Sequence, residues 1–208
     1  MSQRPPYSSV FLLSASVLAY EILLMRLFSV IQWHHFAYMV IGLALLGYGI
    51  SGTIVSIHQQ RLLRRFSGVY LSAIALFGLT AVSGFLVAQQ IPFNAEEILW
   101  DRRQLWYLAA LFLLLAIPFF FAATAICLAF MKYQQRVARI YAADLVGAGV
   151  GSLGVVVLLF LVFPGSALMI IGVLALIAAS AARYAAFVMM FDDIAWDEIG
   201  RASCRERV

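Results

Sequence analysis

Charge is scarce in this chain, and so is cysteine. Only 12% of its 208 residues are charged, against roughly 25% in an average soluble domain. What fills the space is apolar: 64% of the sequence. A soluble fold of this length has nowhere to bury so much apolar surface. A bilayer accommodates it, because runs of about 20 apolar residues suffice to cross about 30 Å of hydrocarbon. The formal charge of +4 is too small to argue for a nucleic-acid partner. The two cysteines, Cys127 and Cys204, make no disulfide framework and no metal-binding pair. Cys127, inside an apolar run, reads as a buried and inert thiol. Also missing are a soluble alternation of strands and helices and an acidic cofactor loop. No catalytic residue, no metal and no cofactor is therefore expected within this chain.

What is present is a succession of apolar runs. The predicted fold class is an all-α integral membrane bundle of about six transmembrane helices, at approximately 9–30, 36–57, 69–91, 105–130, 140–163 and 167–190. Short polar connectors separate them, among them Gln32 to His35, His58 to Ser67, Pro92 to Gln104 and Lys132 to Arg139. The first run continues through Ile22, Leu23 and Leu24, past any small-residue cleavage point, so it is read as a span and not as a signal peptide. Arg4, Arg61, Arg64, Arg65, Lys132, Arg136, Arg139 and Arg183 fall on one side. The other side has Arg102 and Arg103, diluted by Glu96, Glu97 and Asp101, with Arg26 at the end of the first span. That bias predicts that both termini are cytoplasmic. Trp33, Tyr38, Trp100, Trp106 and Tyr107 then fall at the outer boundary, as an aromatic belt does.

Ionisable groups inside the spans are the first place to look for function. An ionised side chain at mid-helix costs about 2.5–3.5 kcal/mol on insertion scales, so it needs a partner, water or a ligand. The first span carries Tyr20, Glu21 and Arg26, and the fifth carries Tyr141 and Asp144. Glu21 and Arg26 are five residues apart, poorly placed around a helix to pair with each other. Glu21 is expected to face another helix or a cavity, and Arg26 to snorkel to the boundary. Asp144 lies near the cytoplasmic end, close to Arg136 and Arg139. For Glu21 and Asp144 two readings stay open, a structural contact between helices and a role in holding a substrate or ion.

Small residues suggest where helices touch. Gly147 and Gly151 have the spacing that lets two backbones approach closely, and Gly47 and Ser51 repeat it in the second span. Tight packing is the expectation for both pairs. Gly149, Gly151 and Gly154 spell a dinucleotide-binding loop, but no strand precedes them and hydrocarbon surrounds them, so that match is rejected. His34 and His35 are adjacent, whereas a helical metal pair needs three- or four-residue spacing. They are read as interfacial residues, with a proton or ligand role as the weaker alternative.

Two motifs carry a family resemblance. Ala19 to Ser29, AYEILLMRLFS, and Ile140 to Leu153, IYAADLVGAGVGSL, resemble the membrane half of bacterial spermidine synthase-like fusion proteins. Gln32 to Phe36 and Ala44 to Gly47 share the look. The resemblance implies a membrane region preceding a cytoplasmic aminopropyltransferase- or methyltransferase-like domain, in the inner membrane of a bacterium. The implied role is to anchor that domain, with movement of its substrate or product, a polyamine or related small molecule, as a further role. Stand-alone major-facilitator-like transport and purely structural anchoring are the competing readings. The expected partners are the lipid bilayer, such a small molecule and the downstream domain. The last stretch, Glu198 to Val208, reads EIGRASCRERV and resembles a translated sequencing adapter. On that reading 1–197 is the membrane domain, 198–208 an artefactual tail, and the soluble domain lies beyond.

Overall fold

The computed structural model describes residues 5–31, 34–94, 97, 100–163, 166–167 and 169–180, and for residues 30, 31 and 34–37 the backbone alone. Every regular element among them is helical. Helix α1 spans Tyr7–Ile31, α2 His34–Ile57, α3 Gln59–Arg64, α4 Phe66–Ala88, α5 Arg102–Lys132 and α6 Val137–Leu161. A shorter apolar helix, α7, covers Met169–Ser180. Five of these helices are long and apolar enough to cross a membrane. The sixth predicted span extends past residue 180, and its remainder lies outside the described residues, as does 198–208.

The long helices are apolar on every side, which is what a segment facing both protein and lipid requires. Helices also meet the bilayer's demand that backbone polar groups be satisfied within the segment. Breaks fall where the sequence turns polar. Asp101 starts α5 by accepting a hydrogen bond from the Arg103 backbone N–H at 2.9 Å. Just before it, Gln104, Glu97 and Asn94 tie the loop together: the Asn94 N–H donates to Gln104 Oε1 at 3.0 Å, and Gln104 Nε2 donates to Glu97 at 3.3 Å. The connector 58–67, read from sequence as a polar loop, is itself helical over Gln59–Arg64. Arg61, Arg64 and Arg65 are exposed there, while Leu62 and Leu63 are half-buried.

Glycine contacts establish how the helices run. A Cβ on Gly147 would meet the backbone of Phe11, and one on Gly151 that of Ala15, so α6 runs parallel to α1. Gly42 faces Phe112, and Gly47 faces Ala116, Phe119 and Phe120, so α2 and α5 are likewise parallel. Gly84 of α4 lies by the Leu114 carbonyl, and Phe66 packs edge-on against Tyr133 at 5.8 Å, so α4 and α5 are antiparallel. Gly78 meets Ala175, and Gly172 meets Val82, which sets α7 antiparallel to α4. The chain thus passes up and down in alternation. Arg61, Arg64, Arg65, Lys132 and Arg139 gather at one end, exposed. Tyr38, Trp100 and Trp106 lie exposed at the other.

The core sits where α1, α2, α4 and α5 converge. Tyr20 is fully buried there, edge-on to Phe77 at 6.1 Å and tilted against Phe119 at 5.4 Å, and Tyr48 meets Phe119 edge-on at 6.3 Å. Pro118 is buried one residue before Phe119. It has no N–H to offer the Leu114 carbonyl, the same carbonyl that Gly84 of α4 approaches.

Candidate functional site

Helix α6 follows α5 after a single 3-10 turn, Gln134–Arg136, yet it leaves α5 and packs along α1. Consecutive helices usually pack together; here α5 and α6 touch at few points. Between them lies a cavity of about 320 Å³. Four polar groups reach it, one from each helix: Ser14 of α1, Tyr48 of α2, Cys127 of α5 and Asp144 of α6. The remainder of its wall is apolar, from Val17, Leu18, Ala123, Ile126 and Ala148.

Each polar group arrives for a local reason. Gly147 and Gly151 remove the side chains that would hold α6 off α1, and that close approach brings Asp144 within reach of α1. The Ser14 hydroxyl donates to the Asp144 carboxylate, so the cavity's one acidic group is held in position by a neighbouring helix. Gly47 does for α2 what the α6 glycines do for α6: its missing side chain admits Phe119 and the α5 backbone. Tyr48 follows it and is turned to the cavity. One turn further, Ser51 and Thr124 share a hydrogen bond at 2.9 Å and tie α2 to α5.

Glu21 is half-buried, and among the described residues no hydrogen bond or ion pair reaches its carboxylate. It does not line the cavity, but both it and Asp144 act electrostatically on the Tyr48 hydroxyl. Ser14 is seven residues before Glu21, nearly two full turns, so the two share one stripe of α1 about 10 Å apart along its axis.

The other residues singled out from sequence lie elsewhere. Tyr20 turns away from the cavity into the aromatic core, and its hydroxyl has no protein hydrogen-bond partner among the described residues. Arg26 is exposed. Tyr141 is exposed too, with its ring 6.5 Å from that of Phe130. The side chains of His34 and His35 lie outside the described residues. Among the described residues no group of three His, Cys, Asp or Glu side chains is placed to hold a metal. Sequence reasoning overlooked Ser14 and Tyr48 and treated Cys127 as inert packing. Ser14 shares a stripe of α1 with Glu21 and Tyr48 follows Gly47, but neither relation names a partner on another helix.

The arrangement is an all-helical protein with membrane-length apolar helices and a polar-spotted cavity between four of them. No protein-family model matches the chain, and neither a curated protein nor a solved structure matches it.

Proposed function

We propose that this chain is the membrane domain of a spermidine synthase-like fusion protein, and that it holds a small ammonium compound in the cavity between α1, α2, α5 and α6. The observation that carries the ligand reading is Asp144, a carboxylate on an otherwise largely apolar wall, fixed by Ser14. A carboxylate in such surroundings attracts a cation far more strongly than one in water. Glu21 lies on the same stripe of α1, outside the cavity wall, and acts electrostatically on the Tyr48 hydroxyl. The domain sits in the bacterial inner membrane with about six spans, and both termini and the Arg61–Arg65 and Lys132–Arg139 connectors face the cytoplasm. It anchors a cytoplasmic aminopropyltransferase- or methyltransferase-like domain and moves that domain's substrate or product.

The ligand reading is tested on purified protein by thermal melting with spermidine and with octylamine. At least one amine is expected to raise the melting temperature, and Asp144→Asn, which keeps the shape and removes the charge, is expected to abolish the rise. Glu21→Gln is expected to reduce it. No shift with either amine in the wild type, or an undiminished shift in Asp144→Asn, refutes the ammonium site. Orientation is tested separately on intact cells with an impermeant maleimide, in a Cys204→Ser background. Trp100→Cys is expected to label and Arg64→Cys to remain unlabelled; the reverse pattern inverts the topology.

A further inference from the structure

We infer that the cavity is filled from the side, out of the bilayer, and that its ligand is an amphiphilic monoamine: one ammonium group on a hydrocarbon body. This rests on the reading of the cavity as an ammonium site and adds to it the class of ligand and its route.

The route follows from how α5 and α6 part. At the basic end of the bundle the rings of Phe130 and Tyr141 meet across the gap between them, with centroids 6.5 Å apart. Cys127 precedes Phe130 by one turn on the descending α5, and Asp144 follows Tyr141 by one turn on the ascending α6. Both cavity residues therefore lie just beyond the ring pair, on the side away from the basic end. From there α6 leans on α1, drawn in by Gly147 and Gly151, and α5 leans on α4 and α2. Among the described residues, nothing in either packing draws α5 and α6 together again. An opening between two membrane-length helices, crossed towards the basic end by aromatic rings, leads into hydrocarbon.

The class of ligand follows from counting charges on the wall. Asp144 is the one carboxylate among the lining residues. One carboxylate balances one ammonium group. A polyamine would set its remaining ammonium groups against Val17, Leu18, Ala123, Ile126 or Ala148, at about 2.5–3.5 kcal/mol for each unpaired charge in hydrocarbon. A monoamine with an alkyl or aryl body places its charge on Asp144 and its carbon against those same residues. A volume of about 320 Å³ is at the small end of the range that ligand pockets occupy. Such a compound also partitions into the bilayer from which the gap opens, as a polycation does not.

Cys127 makes the inference measurable, because it lines the cavity and carries a free thiol. The experiment uses the whole chain with Cys204→Ser, reconstituted in phosphatidylcholine vesicles. Modification of Cys127 is followed with N-ethylmaleimide, which crosses the bilayer, and with a trimethylammonium methanethiosulfonate, which does not. The expected result is reaction with the first and none with the second from either face. Octylamine at ten times its dissociation constant is expected to slow alkylation about tenfold, by occupancy. Octanol, the same tail without the charge, and spermidine are expected to leave the rate unchanged. Asp144→Asn is expected to remove protection by octylamine; the octylamine–octanol contrast holds without any variant. Protection by spermidine and not by octylamine overturns this inference and leaves the ammonium site standing. Protection by neither amine, or by octanol as well as octylamine, overturns both. A thiol that the charged reagent reaches, or that N-ethylmaleimide does not, overturns the lateral route.

Discussion

Two helix interfaces in this bundle are built on opposite plans. Along α1 and α6 the backbones themselves meet: a Cβ on Gly147 would run into the Phe11 carbonyl, and one on Gly151 into that of Ala15. Between α4 and α5 the approach is looser. There the corresponding glycine, Gly84, has 3.7 Å to its nearest neighbour, the Leu114 carbonyl oxygen. Bulky rings such as Phe66 and Tyr133 fill the space further along. In lipid no hydrophobic driving force favours one helix pair over another, so association depends on packing and interhelical hydrogen bonds. The α1–α6 pair draws on both, through its glycines and through Ser14 and Asp144. The α4–α5 pair relies on shape. The interface with the polar contact is thus the one that cannot yield, and it is the one that forms a wall of the cavity.

The contrast predicts opposite responses to one added methyl group. Gly151→Ala forces backbone apart from backbone, and is expected to cost about 3 kcal/mol, the upper part of the range for overpacking. Gly147→Ala is expected to behave alike. Gly84→Ala makes an ordinary van der Waals contact and gains helix propensity, so it is expected to stay within about 1 kcal/mol of the wild type or to stabilise. Unfolding in mixed micelles titrated with SDS measures all three. Equal losses at Gly151 and Gly84 would show that the two interfaces do not differ in kind.

Much of the helical architecture is legible in the sequence, because it follows from composition: long apolar runs interrupted by Arg-rich or Gln-rich breaks leave few alternatives. The six-residue helix α3 was not legible, since Gln59 to Arg64 is too short and too polar to show a period. That Glu21 and Arg26 do not pair could be reasoned from their spacing, and Glu21 is half-buried while Arg26 is exposed. Their neighbours could not be read that way, because nothing local says that α6 abandons α5 to run beside α1. That pairing depends on the Gly147 and Gly151 spacing meeting a particular stretch of α1, and sequence spacing names only one side of the contact. The cavity is a consequence of that choice, which is why Asp144 was recognisable as a residue of interest while Ser14 and Tyr48 were not. Tyr20 misled for the same reason. It neighbours Glu21 in sequence, but one residue turns a helical side chain by about 100°, enough to send it into the aromatic core.

The smallest expected effect separates two of the hydroxyl contacts between helices, Ser14 with Asp144 and Ser51 with Thr124. Ser14 donates to a carboxylate that is otherwise surrounded by apolar wall, and bonds to charged acceptors are roughly twice as strong as neutral ones. Ser14→Ala is therefore expected to cost about 1.5 kcal/mol, near the maximum measured for interhelical hydrogen bonds in membranes. Ser51 bonds to Thr124 at 2.9 Å across the α2–α5 interface, but Thr124 also donates to its own Phe120 carbonyl at 2.8 Å. Loss of Ser51 leaves the Thr124 hydroxyl with a good acceptor one turn back. Neither partner is then an unsatisfied polar group, and the large penalty of stranding one in hydrocarbon does not arise. Ser51→Ala is expected to cost about 0.5 kcal/mol, the membrane average for such bonds. A cycle pairing Ser51→Ala with Thr124→Val, read by the same SDS titration, isolates the coupling. A coupling as large as that of Ser14 with Asp144 would mean that Thr124 does not fall back on Phe120, and that α2 and α5 depend on a polar contact as α1 and α6 do.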